Sequence, residues 1–141
     1  MTADAPLTAE EEKRIREAFE RVPFVHLLKV ELGEVRRGAA TLYLEVRDEL
    51  RQNNGVVHGG VIASLVDTAA AFAIITSLEK GQTTTTVDLT IHYLRPLLEG
   101  RITAEARVLR VGRRILTIRI DVLDKTQALA ATALTSFIRL S

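Results

Sequence analysis

The sequence has no cysteine, no tryptophan and only six aromatic side chains among its 141 residues. Without cysteine there can be no disulfide, no thiolate ligand for zinc and no thiol nucleophile. The few aromatic rings argue against a base-stacking surface, and 19 basic against 18 acidic side chains argue against a basic stripe for nucleic acid. We therefore expect no nucleic-acid partner. The lack of cysteine also suits a reducing compartment, and we expect a cytoplasmic protein.

A membrane-spanning segment and a signal peptide are also missing from the pattern. The first residues soon become acidic, which is not typical of a signal or transit peptide. Residues 61–78 are apolar apart from Asp67, but an aspartate at mid-span costs about 2.5–3.5 kcal/mol on insertion scales. We interpret this stretch as a buried helix and expect no membrane association.

The length and the ordinary balance of 47% hydrophobic and 26% charged residues predict one globular domain over residues 1–141. A helical extension is expected over residues 1–23, where Thr8 and Glu11 form a capping-box pattern, and a core over residues 24–139. Hydrophobic periodicity predicts helices at 8–22 and 58–78, and strands at 28–36, 39–47, 83–94, 101–110, 114–123 and 127–139. Tight turns between consecutive strands indicate an antiparallel meander. The fold class is therefore α+β, with a curved antiparallel sheet of about six strands around a long central helix.

The predicted central helix is apolar on every face and so needs cover on every face. One curved sheet covers only part of such a helix. A second copy of the chain is the simplest additional cover, which predicts a homodimer.

Asp67 is the only charged side chain between His58 and Glu79. A carboxylate in apolar surroundings is a candidate general base or nucleophile. The alternative is a structural aspartate bonded to a backbone amide or to Thr68.

The loop before this helix ends in Gly59 and Gly60. Free amides at a helix N-terminus favour developing negative charge, and glycine lets a ligand approach the backbone closely. The loop could therefore form an oxyanion hole, or simply a tight turn. Gly59 and Asp67 are eight residues apart, about 12 Å of rise and about 80° of rotation on one helix. If both act on one substrate, each must come from a different subunit, and a two-fold dimer provides this.

Other combinations of reactive side chains fit less well. His58 and Ser64 are six residues apart, too far along the helix for a Ser-His-Asp triad with Asp67. His92 and Asp88 share a strand face but lack a third metal ligand, and no metal site is predicted. The pairs Arg36-Arg37 and Arg113-Arg114 are typical of solvated turn charges, or alternatively could dock a phosphorylated substrate tail.

Two segments, Asn54 to Asp67 and Val87 to Pro96, resemble the hotdog-fold acyl-CoA thioesterases of the PaaI-like (phenylacetic acid degradation) group. The resemblance extends over about residues 24–139. It implies a hotdog fold, a homodimer that pairs again into a homotetramer, and hydrolysis of an acyl-CoA without a metal or redox cofactor.

The resemblance also implies roles for individual residues. Asp67 matches the family's catalytic carboxylate, and Gly59 matches the residue whose N–H polarises the thioester carbonyl. His58 would help to hold the loop and the thioester, and Thr86 would orient water beside Asp67. Gln52 departs from the family pattern, since relatives with an aspartate usually carry asparagine there.

The remaining expectations concern the substrate. Five residues are expected to bind it, with the arginines as candidate phosphate contacts: Asn54, Gly60, Arg95, Arg113 and Arg114. The helix face at Val61, Leu65 and 69–71 would shape a site for an aryl or medium-chain acyl group. Two alternatives remain open, namely an acyl-CoA-binding module without catalysis and a hotdog hydratase or dehydratase.

Overall fold

A computed structural model describes residues 5–140. The helices are α1 (Ala9–Glu20), α2 (Pro23–Leu28) and α3 (Gly59–Ile75), with a 3₁₀ turn at Asp48–Leu50. The strands are β1 (Glu31–Arg36), β2 (Ala39–Glu45), β3 (Thr83–Tyr93), β4 (Arg101–Val111), β5 (Ile115–Leu123) and β6 (Leu129–Leu140). All neighbouring strands are antiparallel, in the order β1-β2-β4-β5-β6-β3.

Helix α3 packs into the curve of this sheet, as predicted, although it is shorter at both ends than the expected 58–78. Leu65, Val66, Ala69 and Ala70 are fully buried on its sheet-facing side. The other side is only half-buried within the chain, and its members are Ala63, Ser64, Asp67, Thr68, Ala71 and Ile75. Since Leu65, Ala69 and Ala70 belong to the closed core, the prediction that they shape an acyl site is wrong.

The N-terminal helix α1 packs against part of α3, where the sequence had predicted that a second copy of the chain would provide the cover. Thr8 and Glu11 form the predicted capping box. Phe19 packs edge-on against Phe72 of α3, with ring centroids 5.1 Å apart. Among the described residues, the half-buried side of α3 is the part of the helix that remains incompletely covered.

The region after α1 differs from the prediction. Residues 28–30 were expected to begin a strand, but Pro23 instead starts the short helix α2 from its first turn. Lys29 ends this helix in the left-handed conformation, with φ of 60°. Arg47 then donates hydrogen bonds to the Leu28 and Leu27 carbonyls at 2.8 and 3.1 Å.

The expected antiparallel meander is confirmed for β4, β5 and β6, which the predicted tight turns join. Strand β3 pairs with β6 and lies at the edge of the sheet, while β2 pairs with β4. A bulge between Thr86 and Asp88 shifts the side-chain alternation of β3. Thr86 consequently shares the helix-facing side with Leu89 and Ile91, which strict alternation of side chains along a strand does not allow.

The β1–β2 turn contacts both α1 and the C-terminal end of α3. Arg37 forms an ion pair with Glu11 of α1 at 2.8 Å and donates to the Thr76 carbonyl at 3.3 Å. The Arg37 side chain is only 17% exposed, so the expectation of a solvated turn charge is wrong at this position.

No helix within residues 5–140 is both long and apolar enough to cross a membrane.

Candidate active site

The loop before α3 is fixed to its surroundings by backbone hydrogen bonds. The His58 N–H donates to the Leu50 carbonyl at 2.8 Å, and the Val57 N–H donates to the Leu97 carbonyl at 2.9 Å. Residues 52–56 form a turn in which Gly55 has φ of +89°. The Asn54 side chain accepts from the Val56 N–H at 3.3 Å, so this predicted substrate contact helps to form the turn.

His58 caps the N-terminus of α3. Its Nδ1 accepts a hydrogen bond from the Gly60 N–H at 2.8 Å, so the neutral ring carries its proton on Nε2. Within residues 5–140 no acceptor pairs with the N–H of Gly59. The Gly60 N–H is thus already used within the chain, whereas the Gly59 N–H is free to bind a ligand at the positive end of the helix dipole.

A groove opens at this N-terminus and gathers three of the predicted residues, Gln52, Gly59 and Arg95. Its other lining residues are Val56, Val57, Ile62, Tyr93, Leu94, Pro96 and Leu97. Arg95 is exposed and also lies close to Asp124. Hydrogen bonds from Thr126 and Ala128, with a smaller contribution from the Arg95 charge, lower the pKa of the Asp124 carboxyl.

Asp67 and Thr86 meet on the half-buried side of α3. The Thr86 hydroxyl donates to Asp67 Oδ1 at 2.8 Å, and both residues are partly buried. The bulge in β3 makes this contact possible because it turns Thr86 toward the helix. The pair therefore places an oriented carboxylate on the side of α3 that residues 5–140 cover only in part.

The predicted residues lie in three separate places within one chain, namely the groove at Gly59, the Asp67–Thr86 pair and the β4–β5 turn. Gly59 and Asp67 are eight residues apart along α3, about 12 Å of rise. Arg113 and Arg114 lie in the β4–β5 turn, at the end of the sheet where β3 begins, whereas Gly59 lies near the end of β3. The structure therefore does not bring these two arginines to the groove of the same chain.

Ser64 takes no part in a triad, because its hydroxyl donates to the Gly60 carbonyl at 2.8 Å. Asp88 accepts from the Ser136 N–H at 3.1 Å. Among residues 5–140 there is no cluster of three His, Cys, Asp or Glu side chains able to hold a metal.

Tyr93 is the site residue that sequence reasoning missed. Its hydroxyl donates to the Gly59 carbonyl at 2.8 Å, and the residue lines the groove and is 53% exposed. The signal in the sequence was weak, since Tyr93 lies in a predicted strand with no local feature that marks it as part of a site.

A curved antiparallel sheet wrapped around a long helix is the hotdog arrangement, and solved thioesterase structures similar to this chain share it. The sequence profile of the thioesterase superfamily matches residues 54–131, and the chain belongs to this superfamily.

Two relatives match much of the chain. The medium/long-chain acyl-CoA thioesterase YigI of Escherichia coli is 31% identical over 150 residues, covering 94% of this chain and 97% of that protein. The 1,4-dihydroxy-2-naphthoyl-CoA hydrolase of Listeria monocytogenes is 28% identical, covering 71% of this chain and 81% of that protein.

Solved structures agree on the fold. PaaI of Escherichia coli superposes with a TM-score of 0.88 at 24% identity, covering 96% of each chain. A thioesterase from Haemophilus influenzae superposes with a TM-score of 0.85 at 25% identity, covering 100% of this chain and 96% of the other. The chain is thus a thioester hydrolase with a hotdog fold, and acyl-CoA thioesterase activity is assigned at the level of the family.

Proposed function

We propose that the chain hydrolyses the thioester of aryl- or medium-chain acyl-CoA as a homodimer. Water and R–CO–S–CoA yield the free acid and the CoA thiol. The Gly59 N–H of one protomer would bind the developing oxyanion, and Asp67 of the other would act as general base or nucleophile, with Thr86 orienting the attacking water.

The observation that carries this proposal is the distance along α3 between the Gly59 N–H and the Asp67 carboxylate. A free N–H and a hydrogen-bonded carboxylate lie eight residues apart on one helix, too far for one carbonyl carbon. A second chain running in the opposite direction would bring the Asp67 of each protomer toward the Gly59 of its partner.

Two open surfaces support the dimer. Strand β3 has a neighbour, β6, on one side only, and its free edge adjoins the half-buried side of α3. Pairing at such an edge would satisfy its exposed backbone groups. The same dimer would cover Ser64, Asp67, Thr68 and Ala71.

A further pairing of dimers into a homotetramer would cover Leu109 and Leu134, which are about half exposed on the outer face of the sheet.

The substrate would lie across this interface. Arg95 stands in the groove beside Gly59, and Arg113 and Arg114 of the partner would approach it because they lie at the opposite end of each sheet. These cations suit the CoA phosphates. The small side chains on the half-buried side of α3 leave room for the acyl group. Gln52 would hydrogen-bond the leaving sulfur or the attacking water. His58 would hold the loop that precedes α3.

The experiment is a thiol-release assay with aryl, medium-chain and short-chain acyl-CoAs on wild type and Asp67→Asn. We expect Asp67→Asn to lower turnover at least about 100-fold, in keeping with the loss of a general base. Full activity in this variant would refute the role of Asp67.

Asp121→Asn is a matched control. Asp121 accepts a hydrogen bond from the Thr132 hydroxyl at 2.8 Å, which is the same kind of Asp-Thr pair on strands β5 and β6, away from the groove. We expect this variant to keep wild-type turnover, so a comparable loss would show that the assay reports general damage rather than catalysis.

A further inference from the structure

Tyr93 connects the sheet to the first turn of α3. Its backbone pairs with Ala131 of β6, and its hydroxyl donates to the Gly59 carbonyl at 2.8 Å. The ring also packs against Gly59, because a Cβ built at that position would lie 3.4 Å from the ring. The contact therefore has both a polar and a steric component.

The Gly59–Gly60 peptide group is held from both of its ends. Tyr93 binds the carbonyl of Gly59, and Nδ1 of His58 binds the N–H of Gly60 at 2.8 Å. Two successive glycines have more accessible backbone conformations than any other pair, and the first turn of a helix frays readily. The free N–H of Gly59 belongs to the neighbouring His58–Gly59 peptide group. The two hydrogen bonds therefore act on it by restricting the backbone rotation at Gly59 that joins the two peptide planes.

We propose that Tyr93 is a positioning residue, which fixes the orientation of the Gly59 N–H through the Gly59 carbonyl. The inference rests on the proposed function, in which that N–H binds the oxyanion. Since the negative charge on oxygen develops only toward the transition state, a misdirected N–H reduces kcat and leaves substrate binding largely intact.

The first test is Tyr93→Phe, which keeps the ring and removes the hydroxyl. We expect kcat for acyl-CoA hydrolysis to fall about tenfold while KM changes less than about twofold, since the N–H remains present but is less well directed. Tyr43→Phe is the control, because Tyr43 lies on β2 with its ring against Arg101, 3.8 Å from the guanidinium carbon. An unchanged kcat in Tyr93→Phe, or a raised KM alone, would overturn the inference.

A second readout does not depend on turnover. Amide hydrogen exchange measured by NMR should show the Gly60 N–H exchanging at least about threefold faster in Tyr93→Phe than in wild type, with Tm unchanged. Unchanged exchange overturns the positioning role even if kcat falls. Failure of the proposed function would give a different result, because wild type itself would then release no thiol from any acyl-CoA. The exchange rates of the Gly60 N–H would still decide the role of Tyr93.

Discussion

At the scale of single residues, the N–H of Gly59 can be removed with little expected cost to the fold. Proline suits the first position of a helix, and His58 already has the extended backbone, φ −62° and ψ 133°, that a residue before proline adopts. We expect Gly59→Pro to lower kcat at least about 100-fold in the thiol-release assay, because the proposed oxyanion donor is lost.

Gly59→Ala is the companion variant for this prediction. It retains the N–H, and its methyl group would meet the Tyr93 ring at 3.4 Å, an ordinary van der Waals distance. We expect alanine to keep turnover within about fivefold of wild type, since a directed donor remains. Equal activity of the proline and alanine variants would contradict the role of the Gly59 N–H.

The site residues that the sequence could identify are those with a purely local signature. Asp67 is the lone charge in an apolar helix, and Gly59 begins that helix in a Gly-Gly pair. Tyr93 has no such signature. Its role depends on a contact with Gly59, 34 residues earlier in the chain, and no local pattern encodes that contact.

At the scale of elements, the attachment of α1 to the β1–β2 turn should depend on pH. The hydrogen bond from Arg37, followed by that from the Thr8 backbone, lowers the pKa of Glu11 from 4.5 to about 2. Because the folded-state pKa is the lower one, the stabilisation is complete above pH 4.5 and is lost as the pH falls toward 2.

Glu11→Gln should therefore be less stable than wild type to chemical denaturation at pH 7, and the difference should shrink at pH 3. Glu17→Gln is the control on the same helix, since Glu17 forms only an exposed ion pair with Lys13 at 3.9 Å. A difference for Glu11→Gln that stays constant between pH 7 and pH 3 would disprove the contribution of this ion pair.

Local sequence patterns predicted most helices and strands but neither the short helix α2 nor the bulge in β3. Pro23 both ends one helix and can start another, so the sequence alone did not distinguish a stop from the first turn of α2. The bulge in β3 places Val87 outside the ladder, and nothing in the alternating pattern reveals the extra residue. That bulge decides that Thr86 faces Asp67.

At the scale of the whole molecule, the curved sheet around a helix was predicted correctly, whereas the sequence made no prediction of the complete strand order. Tight turns encode the pairing of β4, β5 and β6, but the pairings of β2 with β4 and β3 with β6 join segments far apart in the chain. The position of β3 at the edge matters for the proposed dimer, because it leaves both Thr86 and the Asp67 side of α3 only partly covered within residues 5–140.

A shared site makes a prediction that no site within one chain can satisfy. In Gly59→Pro the oxyanion donor is missing and Asp67 is intact, while in Asp67→Asn the reverse holds. A mixed dimer would therefore contain one complete site and one that lacks both groups. The variants can be co-expressed with two different tags. If they pair at random, half of the dimers are mixed and each mixed dimer has one of two sites intact, so turnover should recover to about one quarter of wild type.

Purification through both tags should enrich the mixed dimers and raise turnover to about half of wild type, while each variant alone stays inactive. Activity of the mixture that never exceeds the sum of the separate variants would mean that Gly59 and Asp67 do not act across a subunit interface.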